Sequence, residues 1–198
     1  MDSWKVFLPQ GKEGGRDSEE KLIEYVSLLQ RWSRVHNLTA IRAEEDIYQT
    51  LIVPSLALGD VLSSHRCLLD LGTGAGIPGL ILAIVRPCQS WVLVERSAKK
   101  SCFLRRVVSG LSLENVSIYS GDFAEMAFDD RVEAVVSRGS AKLLGQVDMT
   151  AQWRKRGVPL FSVQTEKSFG EYSGQSKVSA VRVAGFGQAH GLVLVKVK

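Results

Sequence analysis

The stretch "LLDLGTGAGIPGL" (68–80) places four glycines within eight residues. An apolar run closes on Asp70, the glycines follow, and a second apolar run begins at Leu80. That order reads as a strand, a tight turn and a helix. Glycine in such a turn accepts left-handed backbone and, having no Cβ, lets a ligand meet the main chain. The helix behind the turn offers unpaired N–H groups and the positive end of its dipole. Pro78 fits the first helical turn, where its missing N–H costs nothing.

The glycine spacing fits two ligands. Gly74, Gly76 and Gly79 match the dinucleotide pattern, while Gly72, Gly74 and Gly76 match that of S-adenosylmethionine sites. Asp70, two residues before Gly72, favours the second. A carboxylate there can hold the loop's N–H groups and face an ammonium, whereas a pyrophosphate would repel it. Glu95 ends the next apolar run, "SWVLVE", and is placed to accept ribose hydroxyls in either case. The backbone of Phe123 and Ala124, with Asp122 beside it, falls where an adenine edge is read. Arg138 ends the run "VVSR" and is aimed at the same site.

Around the glycine loop the chain alternates. "RCLLDLG", "SWVLVE", "NVSIYSGD", "VEAVVSR" and "VPLFSVQ" read as strands, and "PGLILAIV", "AKKSCFLRRVVSGL" and residues 140–155 as helices. Phe103, Leu104, Val107 and Val108 form the inner face of the second of these helices. "SAVRVAGF" and "GLVLVKVK" follow with no helix between them, which predicts an antiparallel pair. The whole predicts an α/β fold: a mostly parallel, seven-stranded sheet with helices on both faces and that pair at its C-terminal end. Ahead of it, residues 17–34 read as an amphipathic helix. Leu22, Tyr25, Val26, Leu29 and Trp32 share one face, and Asp17 with Glu20 has capping-box spacing. A second helical region spans 43–63, kinked or split by Pro54. These apolar stripes need a partner, so the 17–63 extension and the 66–198 core are expected to form one domain, 1–198. "KEGGRD" is expected as a tail or loop.

Hydrophobic residues make up 45% of the 198, enough for a buried core. No apolar run approaches a bilayer span, and the opening residues lack the features of a signal peptide. Cys67, Cys88 and Cys102 show neither disulfide nor zinc spacing, which suits a reduced cytoplasm and no metal. The net charge of +4 is mild, but Arg96, Lys99, Lys100, Arg105 and Arg106 cluster, as do Arg154, Lys155 and Arg156. Such clusters suit phosphates. His36, His65 and His190 stand alone.

With these pieces in order, the chain resembles the glucose-inhibited division protein B family, RsmG. "WSRVHNLTAI", "DLGTGAGIPGLILAIVRP", "AKKSCFLRRV", "LENV" and "VVSRGSA" carry the resemblance, which runs from residue 22 to the last strand. It implies a Rossmann-like class I S-adenosylmethionine-dependent methyltransferase with an N-terminal helical extension. It implies methylation of a guanine N7 in bacterial 16S rRNA. The protein is expected to be a cytoplasmic monomer that acts on 16S rRNA or the small ribosomal subunit. The family's cofactor contacts fall on Gly72, Ile77, Phe123, Ala124 and Arg138. The chain also departs from the family. Leu51 and Pro54 stand where it usually carries His and Asp, and Ser33 stands for Asn. Glu95-Arg96 replaces Asp-Ser, Asp122 an Arg, Gly139 an Ala, and Gln164-Thr165 Lys-Gly.

Guanine N7 carries a lone pair and no proton, so its methylation asks for alignment rather than a general base. The chain shows no catalytic dyad, and Arg138 is the candidate to orient cofactor or guanine. Three other readings stay open at this point: a small-molecule methyltransferase, a non-catalytic RNA-binding relative, and an NAD-dependent oxidoreductase using the same glycine loop.

Overall fold

The glycine loop leaves the middle of a seven-stranded sheet in the computed structural model, which describes residues 5, 8, 15–172, 180–182 and 192–197. Readings on the opening residues, on the first half of "KEGGRD" and on His190 fall outside these. The strands are β1 (Cys67–Leu71), β2 (Ser90–Glu95), β3 (Val116–Ser120), β4 (Ala134–Arg138), β5 (Leu160–Thr165), β6 (Ala180–Arg182) and β7 (Leu192–Val197). Their order is β3-β2-β1-β4-β5-β7-β6. The first five run parallel, and β7 lies between β5 and β6, antiparallel to both. The expected C-terminal pair is therefore present.

α1 (Gly15–His36), α2 (Glu44–Ile47) and α3 (Val53–Val61) form the extension; α4 (Gly79–Val85) follows β1 and α5 (Ala98–Gly110) follows β2. The region 140–155 divides into α6 (Leu143–Met149) and α7 (Ala151–Arg154). α8 (Glu166–Tyr172) follows β5 and was not expected; its sequence "EKSFGEY" has no helical stripe to announce it. α1 begins at Gly15, so the second half of "KEGGRD" is helical and Asp17 lies inside the helix rather than at its cap. Asp17 instead pairs with Lys21, four residues on, at 2.9 Å.

Strand side chains alternate between two cores. Leu68, Leu93, Val136 and Val163 face one built with α1, α3, α4 and α5. Leu69, Val94, Val135 and Leu160 face the other, against Leu143, Val147 and Trp153 of α6 and α7. α5 contributes the expected face, with Phe103, Leu104 and Val107 buried and Val108 half-buried. α4 is buried at every position, which an all-apolar helix requires. The sheet covers one side of it and the extension the other. From α1, Leu22, Tyr25, Val26 and Leu29 are buried and Trp32 half-buried, as the stripe predicted. The Ser18 hydroxyl donates to Ile84 O (3.1 Å) and the Tyr25 hydroxyl to Ala75 O in the glycine loop (2.9 Å).

Pro54 splits the second helical region in a particular way. Between α2 and α3 the chain makes a π-helical turn, Tyr48–Ile52, closed by Val53 N–H on Tyr48 O. In an α-helix the Thr50 carbonyl would accept from residue 54, but proline has no N–H. The Arg138 guanidinium supplies the donor instead: Nη2 lies 2.6 Å from Thr50 O and Nη1 3.5 Å from Leu51 O. Pro54 and Arg138 should therefore be energetically coupled. Arg138→Ala is expected to cost about 1 kcal/mol in the native sequence. It should cost clearly less in a Pro54→Ala background, where an N–H returns, with a coupling of about 0.5–1 kcal/mol. Urea unfolding of the four proteins measures this, and equal losses in both backgrounds would refute it.

Candidate functional site

The strand order reverses between β1 and β4, and at such a point a crevice opens outside the carboxyl ends of the strands. A cleft of about 470 Å³ lies there. Leu71 and Gly72 line it from β1, Val94, Glu95 and Arg96 from β2, Gly121, Asp122 and Phe123 from β3, and Gly139, Ser140 and Ala141 from β4. Lys100 of α5 and Met149 of α6 complete the wall. Of the predicted residues, Gly72, Glu95 and Phe123 meet on this surface. Ser140, Ala141 and Met149 went unnoticed because they carry no chemical signature; their only signal was position, just past the end of a strand.

The loop is left-handed at Gly72, Gly74 and Gly76, with φ of +68°, +62° and +94°. A Cβ on Gly74 would find no heavy atom nearer than 4.0 Å, so the backbone there is open to a ligand. Its N–H donates to Glu95 Oε2 (3.0 Å), and Ser97 N–H donates to Glu95 Oε1 (2.7 Å). Each carboxylate oxygen keeps lone-pair capacity for a further donor. Gly79 does the opposite work: a Cβ would strike Leu93 Cδ2 at 2.6 Å and Asp70 Oδ2 at 2.8 Å, so glycine permits the helix to sit against the strand. Gly76 is buried and Ile77 half-buried, both on the inner turn and off the cleft wall.

Two predicted contacts need correction. Asp70 holds the loop as expected, its Oδ2 accepting from Thr73 Oγ1 (2.6 Å) and Gly79 N–H (2.8 Å), but it does not face the cleft. It shares the face of Leu68, so the side chain enters the core beneath α4; it is fully buried and its Oδ1 has no partner. Burial pushes its carboxyl up to about 6, against the two hydrogen bonds and the Arg138 charge, which lower it. Arg138 likewise follows Val136 onto that face and reaches the π-turn rather than the cleft. Ala124 is exposed, and its N–H is already taken by Asp122 Oδ1 at 2.9 Å.

The basic clusters separate. α5 carries no acid; Lys99, Arg105 and Arg106 are exposed beside Arg96 and Lys100 at the cleft, with Arg105 bonded to Ser120. In the second cluster Arg154 donates to Val147 O (3.1 Å) and Arg156 lies over the Phe128 ring (4.2 Å), so both are engaged in packing. Among the described residues no group of three or more His, Cys, Asp or Glu gathers as a metal site.

The Asp70 environment gives a pH signature. The unfolded chain ionises this carboxyl near 3.8 and the folded chain near 6, so its contribution is full below 3.8 and is lost as pH rises through 6. Asp70→Asn keeps an acceptor for Gly79 N–H and cannot titrate. Wild-type stability, measured against that variant by urea unfolding, should fall by about 2 kcal/mol from pH 4 to pH 7. Parallel pH curves for the two proteins would contradict this.

The family model described as "GidB: rRNA small subunit methyltransferase G" matches residues 18–187. The ribosomal RNA small subunit methyltransferase G of Dichelobacter nodosus is 41% identical over 119 residues, covering 60% of this chain and 56% of that one. The same-named protein of Neisseria gonorrhoeae is 35% identical over 147 residues, covering 74% and 70%. Among solved structures, a methyltransferase from Geobacter sulfurreducens overlays with a TM-score of 0.60 at 14% identity, covering 98% of this chain and 92% of that chain. A SAM-dependent methyltransferase from Aquifex aeolicus gives 0.57 at 17%, covering 76% and 92%. Those structural likenesses concern the fold, which is that of the class I methyltransferases. With the family match running from α1 past β6, the chain belongs to the GidB family, rRNA small subunit methyltransferase G.

Proposed function

We propose that the protein transfers the methyl group of S-adenosylmethionine to N7 of a guanine in bacterial 16S rRNA. One observation carries the reading: in a chain of this family, the carboxyl ends of β1, β2, β3 and β4 converge on one cleft around a left-handed glycine turn.

The residues present fit the cofactor. A cleft of 470 Å³ lies within the range of about 300–1,000 Å³ for small-molecule sites. The open space at Gly74 admits a ligand to the backbone, and Glu95 retains lone pairs for ribose hydroxyls. Gly72, Gly74, Glu95 and Phe123 would touch the cofactor, with the Ala124 backbone beside its adenine. Asp70, Gly76, Ile77 and Arg138 would act from behind, by holding the loop and the strand ends. When bound, S-adenosylmethionine supplies an electrophilic methyl group on a sulfonium. The accepting N7 has a lone pair and no proton to lose, so no side chain serves as a base. What the chain contributes is alignment and exclusion of water.

The α5 cations, with Arg96, would hold the RNA backbone, and residues 1–198 would act as one methyltransferase domain. A ribosomal RNA substrate would place the work in the cytoplasm, on free rRNA or the small subunit, and we take the protein as a monomer. No described helix is long and apolar enough to cross a membrane.

Incubation with labelled S-adenosylmethionine and unmodified 16S rRNA or small subunits should place label in 7-methylguanine. Label in another base, or none, overturns the reading. Replacing Arg96, Lys99 and Arg106 with Gln should weaken RNA binding. It should also flatten the slope of log affinity against log salt by about 1 for each cation that meets a phosphate. An unchanged slope would remove α5 from the RNA-binding surface.

A further inference from the structure

Ser137, Gln146 and Ser162 are fully buried polar residues beneath the cleft, and the reaction proposed above makes no use of them. Their protons can be followed one by one. Gln164 Nε2 donates to Ser162 Oγ (2.7 Å), and Ser162 Oγ donates to Gln146 Oε1. Gln146 Nε2 donates to Ala141 O (3.0 Å) and, at longer range, to Ser140 Oγ (3.4 Å). Ser137 Oγ gives its single proton to Leu71 O (2.9 Å). In the 2.6 Å contact between the Ser137 and Ser140 hydroxyls, Ser140 must therefore be the donor. Every link then runs one way, from β5 through α6 and the 139–141 turn to the end of β1. Links oriented alike polarise one another, and a missing member strands a buried group.

The turn at the centre of this chain is a wall of the cleft, lined by Gly139, Ser140 and Ala141. Ser140 also rests on the glycine loop: a Cβ on Gly72 would lie 2.5 Å from Ser140 Cβ. The wall is thus gripped from two sides, by Gly72 and by the amide of Gln146. That amide is the only member that accepts from β5 and donates to the turn. A glutamate keeps the acceptor and, ionised, loses the donor; a methionine loses both.

We propose that Gln146 is a positioning residue for methyl transfer: through Ala141 O and Ser140 Oγ it fixes the 139–141 wall against the glycine loop, and so sets where the acceptor base stands. The inference rests on the methyl-transfer reading above. Its role lies in alignment, so its loss acts on turnover more than on cofactor affinity.

The test uses the full chain, with Gln146→Met, Gln146→Glu and Ser162→Ala, each checked for folding by circular dichroism. Gln146→Met is expected to lower kcat about ten- to a hundredfold. The Kd for S-adenosylmethionine should stay within about threefold, the split expected of a group that aligns rather than binds. Hydrogen exchange at amides 139–141 should speed up. Gln146→Glu covers the case in which the methionine variant does not fold. Its kcat should recover toward acidic pH, where the carboxyl regains a proton to donate. Ser162→Ala, which removes only the arm to β5, should have the smaller effect. A wild-type kcat in folded Gln146→Met, or in Gln146→Glu at a pH where its carboxyl is ionised, or a loss of cofactor affinity equal to the loss of turnover, overturns the inference while the methyl-transfer reading stands. A wild-type protein that places no label in 7-methylguanine overturns both.

Discussion

A strand sends successive side chains to opposite faces of its sheet, and that rule decides what each residue at the carboxyl edge can touch. In β1 and β4 it sends Asp70 and Arg138 toward the helical extension, with Leu68 and Val136. In β4 and β5 it sends Ser137, Ser162 and Gln164 toward α6, where Ser162 bonds Gln146 directly, Gln164 reaches it through Ser162 and Ser137 through Ser140. The cleft is left mainly to residues at and just past the last strand positions, where the chain turns over the edge: Gly72, Glu95, Arg96, Phe123 and Ser140. The site thus has a front made largely of backbone and a back made of buried polar side chains that hold that backbone in place.

The extension belongs to the back of the site. Tyr25 reaches the glycine loop at Ala75 O, and Arg138 reaches back to Thr50 O in the π-turn. Burial pushes the Tyr25 phenol upward, which keeps the proton on the hydroxyl and the donor in place. Burial also raises Asp70, yet Thr73, Gly79 and the charge of Arg138 all oppose that shift. A carboxylate taken wholly out of water is costly unless hydrogen bonds and an opposite charge compensate. Here the compensating groups come from the loop, from the start of α4 and from the end of β4. The buried acid therefore draws three elements together at the point where the cofactor loop begins.

Much of this was legible in the sequence. Parallel strands buried on both faces read as short apolar runs, so "CLLDL" and "SWVLVE" stood out, and the helices between them dictated the parallel order. Asp70 and the glycines marked the loop. The side chain of Arg138 was misdirected, although counting two residues back to Val136 places it on the extension's face. Pro54 announced an irregularity without saying which, because the donor that takes up the Thr50 carbonyl comes from residue 138, far along the chain. The capping box at Asp17 failed because α1 starts two residues earlier. The Gln146 relay could not be read at all: Ser and Gln are ordinary surface residues until the fold buries them together.

The residues that the sequence resemblance marks as departures from the family pattern make sense as wiring to backbone. Pro54 removes a donor, and Arg138 supplies one to the carbonyl left behind. Leu51 is buried, with its carbonyl taken by the Ser55 hydroxyl at 2.6 Å. Asp122 caps the short turn Phe123–Glu125 through Ala124 N–H, ordering backbone at the cleft. Gln164, where the sequence resemblance would place a lysine, sits at the head of the relay and donates to Ser162. A lysine ammonium could also donate there, but it would bring an unpaired charge into a buried chain of neutral groups, where an unpaired charge is far costlier than an amide. With glutamine the relay is neutral throughout, and a neutral relay can hold the cleft wall without adding a field of its own where the reaction takes place.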